Sequence, residues 1–498
     1  MQNRKLLHNA ALQRFPAKTH SPLRRISKYI SYRLACSRSA NLMLKCVGNT
    51  TGQIVGLPNI PATYKRLVAR TCGANFRQVA AVQELPLQPP GPGEVLIRIT
   101  HAGINGGCET FRARGDHAFA ANRRLKDFPL GAEGAGVVVA IGQDAGGSIK
   151  VGQRVAVNGA AAFSEYVTAR SSYVTVVPEQ ISNADAAALV LSGVTASVAL
   201  EVTGQVRPGE MIAVTAAAGG TGHLAVQLAA AAGATVVAVV AGPRKAAAVA
   251  ALGATHVVDY HRQDVVATLQ GLIPQGLDVV YDGVGGMLRD QMLACLGHSG
   301  RLLQVGYISE YPHTQQYRWE RQGDDAHEFA GGGGGGGGSG SGGSDGSDEV
   351  DGRVPVSFSC RSKSTEGATA PVAAQQPSLE VRGAAPNRTF AGTAATLTAA
   401  ATPAAVKPPP MTSLPSSAEL FWGGLDVTFG QKRIIGQIWP KDLKAILRCR
   451  RRVFDLARRG QLRVLTDQGH GRRGVEGVPD AVDYMLRGEH IGKVIIEI

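Results

Sequence analysis

The chain has 498 residues, 44% of them apolar, so it is long enough for two or three domains with sizeable cores. Its net charge of +14 comes entirely from the N-terminal part of the chain. The first 83 residues carry 14 Lys and Arg and no acidic residue, whereas the remainder holds 38 basic and 38 acidic residues. The body of the chain is therefore neutral, which argues against a general nucleic-acid binder.

The N-terminal segment, residues 1–62, is rich in Arg and Ser, lacks acidic residues and has no long apolar core. This composition is typical of an organellar transit peptide and differs from a secretory signal. A basic tail without a targeting role is the alternative. We expect an organellar protein, with the mitochondrion favoured over the plastid and with peroxisome or cytoplasm as further alternatives.

Seven cysteines are spread along the chain without a CxxC pair. This spacing argues against a disulfide framework and against a four-cysteine zinc lobe. The longest apolar run, residues 224–240, is interrupted by Gln227 and Gly233. We interpret it as a helix followed by a buried strand, so no membrane span is predicted.

Two patterns of secondary structure follow one another along the chain. Residues 63–195 contain short apolar segments separated by Gly/Pro turns, which predicts a β-barrel-like domain. Further on, short apolar strands alternate with helices, which predicts a parallel sheet of βαβ units. The predicted strands are MIAVT, ATVVAVV, THVVDY, LDVVYD and RLLQVG, with helices over 223–232 and 245–252.

Residues 312–417 break this pattern with a Gly/Ser run and an Ala/Thr/Pro-rich stretch, which predicts a disordered insertion. Order resumes over 418–459, where RIIGQI is predicted as a sixth strand and 441–459 as a helix. Such an insertion within one domain is tolerated because loop-closure entropy grows only logarithmically with length. The last segment, residues 460–498, is predicted as a helix, a turn and a strand.

The helix predicted over 441–459 is strongly basic. Its apolar residues are predicted to share one side, with most charges on a solvated face: Leu443, Ile446, Leu447, Phe454 and Leu456. A nucleic-acid partner is therefore not expected.

The stretch VTAAAGGTGHLAVQLA places Ala216, Gly219 and Gly222 in an A-x-x-G-x-x-G pattern between a strand and a helix. Glycines let backbone amides approach a pyrophosphate, and the helix N-terminus supplies positive potential. A close-packed turn would explain the same residues, but their place after the first strand of a βαβ series favours phosphate binding. The second strand ends near Arg244 and Lys245, where NAD binders usually carry an acidic residue. Cations there suit a 2′-phosphate and favour NADPH; a solvated basic helix start is the alternative.

Many motifs in this order resemble the medium-chain dehydrogenase/reductase family, in its zinc-independent, quinone-oxidoreductase-like branch. They include GIN, GAEGAGVVVAIG, SGVTASVAL, VTAAAGGTG, DVVYDGVGG, GRLLQVGYISEY and GKVIIEI. The resemblance implies an α/β protein with a GroES-like β-barrel catalytic domain over 63–195 and a Rossmann doubly wound parallel sheet over 196–311 and 418–459. It also implies that residues 460–498 return to the catalytic domain, and that the chain forms a homodimer through Rossmann sheet edges.

The resemblance further implies a set of NADPH contacts. Thr221 would approach the phosphates, Lys245 and Tyr260 the 2′-phosphate, and Thr195 the nicotinamide region. The complete set is Thr195, Ala216, Gly219, Gly220, Thr221, Gly222, Arg244, Lys245, Tyr260, Gly283, Val305, Tyr311, Gln437, Ile438, Trp439, His490, Ile491 and Gly492. Plain packing is the alternative for each of them.

The implied reaction is transfer of a hydride from NADPH to the C=C bond of an α,β-unsaturated ketone, as in the prostaglandin reductases of this family. Asn105 is the candidate for orienting the carbonyl or the nicotinamide, with Tyr311 in the same wall. His117 stands where relatives often carry a Tyr, and a His can donate a proton near neutral pH. An NADPH:quinone oxidoreductase and a non-catalytic NADPH-sensing or RNA-binding module are the alternatives.

No metal is expected. Zinc-using relatives carry a His where this chain has Ala132 and a Cys where it has Asn105. Cys108 and Glu133 remain, and two candidate ligands do not complete a site that needs three protein ligands and a water.

Overall fold

A computed structural model describes residues 55–56, 60–145, 147, 149–159, 161–311, 414–436 and 442–498, without the side chains of residues 55, 56, 108, 117, 118 and 470. Most of the predicted presequence and of the predicted insertion lies outside these ranges. So do residues 437–441, which include the predicted cofactor contacts Gln437, Ile438 and Trp439.

The first part of the described chain is rich in short strands, as its Gly/Pro-punctuated sequence predicts. Its elements are β1 Val55–Gly56, β2 Thr63–Ala69, α1 Phe76–Val79, β3 Ala80–Pro86, β4 Glu94–Gly103, α2 Gly106–Arg114, β5 Phe128–Pro129, β6 Glu133–Ile141, β7 Arg154–Asn158, β8 Tyr166–Arg170 and β9 Val174–Val176.

The second part alternates strands and helices. It begins with the helical stretch α3 Asn183–Thr203. There follow β10 Met211–Val214, α4 Gly222–Ala231, β11 Thr235–Val240, α5 Pro243–Ala250, β12 His256–Asp259, α6 Val265–Leu272, β13 Leu277–Asp282, α7 Gly286–Ala294, β14 Leu296–Gln304, α8 Ser417–Gly423, β15 Asp426–Phe429, β16 Lys432–Gly436, α9 Leu443–Arg458, β17 Thr466–Asp467, α10 Val478–Arg487 and β18 Lys493–Glu497.

Three sheets organise these strands. A mainly antiparallel sheet has the order β17-β18-β4-β6-β7-β9, with β1 on β6 and β8 on β4, and a small sheet has the order β3-β2-β5. The third sheet has the order β12-β11-β10-β13-β14-β16-β15, and all of its pairs are parallel except β15 with β16. This arrangement confirms the predicted GroES-like and Rossmann fold class.

The residues on either side of the predicted insertion belong to one sheet. Strand β16 pairs in parallel with β14, and Leu302 lies opposite Ile434. The sequence did not predict β15, which caps the edge of this sheet as an antiparallel strand.

Strand β11, between β12 and β10, shows why the parallel sheet carries helices on both faces. Val236, Ala238 and Val240 pack into one buried cluster, whereas Val237 and Val239 pack into another. Side chains alternate across a strand, so a run of apolar residues serves two cores at once.

The helical stretch Asn183–Thr203 is long and apolar enough to cross a membrane by length and composition alone, but 72% of its apolar window is buried. Two of its turns are π-helical, Leu189–Gly193 and Val198–Thr203. It packs against α9 and α4, so it is a core helix of the fold.

The last strand returns to the first part of the molecule. Strand β18 pairs antiparallel with β4, with Ile496 opposite Ala102. The residues before β18 contact the glycine-rich turn, because the amide of Gly492 donates to the carbonyl of Ala218 over 2.7 Å. This return brings the C-terminal residues between the two kinds of sheet.

Candidate active site

The glycine-rich turn connects β10, which ends at Val214, to α4, which begins at Gly222. Ala216 has a positive φ of 46°, and the Gly219 amide donates to its carbonyl over 2.8 Å. The helix has no side-chain cap at Thr221. The amides of His223 and Leu224 donate to the carbonyls of Gly219 and Thr221. The positive end of the helix dipole lies at the turn, an arrangement suited to an anion.

The glycines of the turn differ in how much space surrounds each of them. A Cβ on Gly222 would lie 2.2 Å from the carbonyl oxygen of Ala216, so this glycine is required by packing. A Cβ on Gly219 would lie 3.1 Å from the same oxygen, and one on Gly220 would lie 2.9 Å from Cδ of Lys493. Both alternatives posed by the sequence, close packing and phosphate approach, are thus compatible with the same loop.

His223 fixes this turn to the C-terminal part of the chain. It is fully buried, its Nδ1 lies 2.8 Å from the carbonyl oxygen of Gly219, and its Nε2 lies 3.1 Å from the amide nitrogen of Leu465. These partners require the neutral ring with the proton on Nδ1. Burial lowers the pKa of His223 to about 4, so the ring stays neutral at physiological pH.

The predicted 2′-phosphate residues lie at the ends of β11 and β12. Arg244 and Lys245 are in the first turn of α5, and Lys245 Nζ donates to the carbonyl of Gly488. Tyr260 follows β12 and is 44% exposed. Asp259 accepts from the Gly242 amide over 2.8 Å, and this hydrogen bond lowers the pKa of its carboxyl group. The structure therefore places the cations beside a rigid loop at the strand ends.

The predicted C-terminal contacts reach the same region. The Ile491 amide donates to Asp467 over 3.3 Å. His490 is half-buried, its Nδ1 atom is buried, and among the described residues this atom has no hydrogen-bond partner. Burial, followed by the charge of Lys245, lowers the pKa of His490 to about 4. An orphaned nitrogen here fits a ligand that completes the site.

A buried carboxylate that the sequence analysis missed holds the loops after β13 and β14. Asp282 accepts from Thr215 Oγ1 and from Gln304 Nε2, each over 2.6 Å. It also accepts from the amides of Val284 and Gly285. Burial raises the pKa of Asp282, and these four donors oppose that effect. The network fixes the loops that carry the predicted residues Gly283 and Val305.

Asn105 is the N-cap residue of α2, but its side chain makes no capping hydrogen bond. Its Nδ2 donates to Glu133 Oε1 over 2.7 Å, and its Oδ1 accepts from Lys493 Nζ over 2.6 Å. The ammonium also lies 2.5 Å from Glu133 Oε1 and 3.1 Å from Ser192 Oγ. Sequence reasoning overlooked Lys493, although a charged residue at the start of the apolar strand KVIIE was a usable signal.

Tyr311 belongs to a buried aromatic cluster beside Asn105. Its ring centroid lies 4.8 Å from that of Phe111 and 5.1 Å from that of Tyr307. Trp422 packs on Phe111 and donates from Nε1 to the Tyr307 hydroxyl over 2.6 Å. The Tyr311 hydroxyl reaches the first turn of α2, where a Cβ on Gly107 would lie 3.0 Å from it.

Two predicted residues have less defined surroundings. His117 begins a 3-10 helix, His117–Arg124, and its side chain is outside the described set. Its role in proton donation therefore stays a prediction. Thr195 is half-buried in α3, in the turn Val194–Ser197.

The positions discussed for zinc carry other interactions. Glu133 pairs with the ammonium of Lys493, which disfavours a second cation at its Oε1. Glu109, fully buried, accepts from the amides of Gly131 and Ala132, and burial raises its pKa to about 7. Among the described side chains, no group of three or more His, Cys, Asp or Glu could hold a metal. The expectation of no metal stays a prediction.

Two parts of the chain match known protein families. Residues 91–179 match the family described as alcohol dehydrogenase GroES-like domain, and residues 220–322 match zinc-binding dehydrogenase. Mouse prostaglandin reductase-3 is 35% identical over 261 residues, which cover 51% of this chain and 66% of that protein. A probable quinone oxidoreductase of Leishmania amazonensis is 33% identical over 253 residues, which cover 50% of this chain and 72% of that protein.

A solved structure shows the same fold. Escherichia coli quinone oxidoreductase complexed with NADPH superposes with a TM-score of 0.57 at 18% identity, covering 87% of this chain and 100% of the other. A GroES-like part joined to a Rossmann part defines a two-domain dehydrogenase class. The chain belongs to the medium-chain dehydrogenase/reductase family, as the sequence motifs predict.

Proposed function

We propose that the protein reduces the C=C bond of α,β-unsaturated ketones with NADPH as hydride donor. The observation that carries this proposal is the convergence of three features at one edge of the parallel sheet. These are the uncapped glycine-rich turn, the cations Arg244 and Lys245, and the orphaned nitrogen of His490. The likeness to prostaglandin reductase-3 over 66% of its length supports an enone as acceptor.

The residues present fit NADPH. Thr221 and the turn amides would hold the pyrophosphate, and Arg244, Lys245 and Tyr260 would hold the 2′-phosphate. Thr195, Gly283, Val305 and the segment His490–Gly492 would enclose the rest. When bound, NADPH supplies the hydride, and the chain supplies binding, orientation and electrostatics.

The protein groups near the reacting end are fixed by hydrogen bonds and packing. The Asn105 amide is held from both ends, and Tyr311 lies against Gly106 and Gly107, the two residues that follow it. A preorganised dipole in a site that excludes water stabilises developing charge on a carbonyl oxygen without reorganisation. Proton delivery to the product is assigned to His117 or to solvent.

A quinone is the second candidate acceptor, favoured by the likeness to the Leishmania protein and to the solved quinone oxidoreductases. A panel assay separates the two: NADPH oxidation at 340 nm with matched enones and quinones, with products identified by mass spectrometry. Higher kcat/KM for enones supports the proposal. If only quinones are turned over, the protein is a quinone reductase. NADPH binding without turnover of any acceptor favours the non-catalytic module.

We also propose an organellar location, supported by the acid-free basic composition of residues 1–62. A fluorescent protein fused behind these residues should enter mitochondria, and a diffuse signal would contradict the proposal.

For assembly we propose a homodimer through β15, the edge strand of the parallel sheet. Light scattering of Thr428→Pro against the wild type tests it, because proline removes an edge amide donor.

A further inference from the structure

Lys493 is one of the most deeply buried charged residues in the described part of the chain. It is 2% exposed, and it starts β18 directly after the contact between Gly492 and the glycine-rich turn. A lysine is almost never buried to this extent unless it is paired. Its partners therefore explain why it is there.

The ammonium has three donors and meets three acceptors from three separate elements. These are Glu133 Oε1 at the start of β6, Asn105 Oδ1 at the start of α2 and Ser192 Oγ in the π-helical turn of α3. The methylene stem lies against the turn as well, because a Cβ on Gly220 would be 2.9 Å from Lys493 Cδ. One side chain thus joins the parts of the molecule that form the candidate site.

The consequence for Asn105 is specific. Its Oδ1 faces the ammonium, while its Nδ2 donates to Glu133 Oε1, with Gly103 O a further 3.4 Å acceptor. The opposite amide orientation would place Nδ2 against the ammonium and Oδ1 against the carboxylate, which is unfavourable on both sides. The lysine and the glutamate together permit a single orientation of the Asn105 amide.

We propose that Lys493 is a positioning residue that fixes the orientation of Asn105 and so sets the turnover of the acceptor. The inference rests on the proposed function, since the orientation of Asn105 affects turnover only if the chain reduces an acceptor. Lys493 acts through Asn105, so it is expected to influence kcat more than the affinity for NADPH.

The test separates positioning from folding. Lys493→Met keeps the stem but leaves Glu133 buried and unpaired, so it should lower both Tm and kcat. Adding Glu133→Gln removes the unpaired charge and should return Tm to within about 2 °C of the wild type. In this double variant kcat should stay at least about tenfold low, while the Kd for NADPH changes less than about threefold.

Three further variants complete the series. Glu133→Gln alone keeps Lys493 and is the reference for the double variant, whose kcat should lie at least about tenfold below it. Lys493→Met combined with Asn105→Ala should be no slower than Asn105→Ala alone, because residues that act as a unit are not additive. Arg301→Met is the matched control: it breaks the half-buried pair of Arg301 with Glu210 and should lower Tm without changing kcat more than about twofold.

An activity-independent readout is the side-chain NH₂ signal of Asn105 in ¹⁵N-asparagine-labelled protein, assigned by its loss in Asn105→Ala. The signal should move in Lys493→Met/Glu133→Gln relative to Glu133→Gln alone. Recovery of kcat together with Tm in the double variant, or an unmoved signal, overturns the inference. Wild-type protein without any turnover contradicts the proposed function, and the Asn105 signal then decides the role of Lys493 by itself.

Discussion

The Thr215 hydroxyl donates to Oδ1 of Asp282 over 2.6 Å and joins the ends of the neighbouring strands β10 and β13. Thr215 Oγ1 accepts in turn from the Gly283 amide over 3.0 Å. Both residues are fully buried. The Thr215–Asp282 pair therefore holds in place the loops that carry Gly283 and Val305.

Replacing Asp282 by Asn should destabilise the fold. The new NH₂ group would face the donors of Thr215, Gln304 or the amides of Val284 and Gly285. A buried donor left without an acceptor costs about 1–3 kcal/mol in the free energy of unfolding, measurable by urea denaturation.

Asp455→Asn is the control for that experiment. Asp455 makes exposed ion pairs with Arg458 and Arg459, and losing such pairs costs less than about 1 kcal/mol. An equal loss of stability in Asp282→Asn and Asp455→Asn would contradict the role assigned to the buried network.

Alanine substitutions at Gly222 and Gly219 should have different effects, the first on stability and the second on NADPH binding. Gly222→Ala forces a Cβ against the Ala216 carbonyl oxygen at 2.2 Å, so it should lower the free energy of unfolding by about 1–3 kcal/mol. Gly219→Ala, with a 3.1 Å approach, should fold with nearly normal Tm but bind NADPH more weakly, because the new methyl group stands where the turn approaches the phosphates. Thermal melts and fluorescence titration of NADPH measure the two effects. Equal Tm values and equal affinities for the two variants would show that the assignment is wrong.

Stability should fall as pH falls below 6.5. The pKa of His223 is lowered to about 4 in the folded state, so the unfolded chain binds more protons between pH 6.5 and 4. The contribution of the neutral ring is complete above pH 6.5 and is lost progressively toward pH 4, amounting to about 3 kcal/mol.

His223→Gln isolates this effect from carboxylate titration. Glutamine can still donate to the Gly219 carbonyl but does not titrate. Unfolding free energies measured from pH 7 to 4.5 should therefore decline less steeply in the variant than in the wild type. Parallel curves would exclude His223 as the source.

The cations of α5 should select between NADPH and NADH. Removing Arg244 and Lys245 together by alanine should weaken NADPH binding by about 10- to 100-fold, the size of one or two charge-assisted hydrogen bonds, and NADH binding by less than about threefold. Arg458→Ala, in the last turn of α9 and paired with Asp455, serves as the control. Equal losses for both dinucleotides would mean that the cations do not read the 2′-phosphate.

The order of strands and helices was predictable because it depends on local patterns. Short apolar runs such as 235–240 alternate with helices, and β11 lies there as predicted. The glycine spacing located the turn for the same reason. The helix α9 was only partly predicted. Phe454 is buried and Ile446 and Leu456 pack against the core as expected, but Leu443 is 58% exposed. The buried stripe also includes Ala445, Cys449 and Val453, which were not predicted.

The polar network of the site was not predictable from local pattern. Lys493 meets Asn105 across 388 positions of sequence, and Thr215 meets Asp282 across 67. The first contact arises when the last strand returns to β4 and the second when β10 pairs with β13, tertiary events that periodicity does not encode. The aromatic cluster of Phe111, Tyr307 and Trp422 has the same origin.

The central claim, hydride transfer from NADPH to carbon, is tested most directly with NADPH deuterated at the transferred position of C4. The enone product should carry one deuterium bound to its β-carbon, detected by mass spectrometry and located by NMR. A reduced product without carbon-bound deuterium, or no reduction of any enone by protein that binds NADPH, would contradict the account.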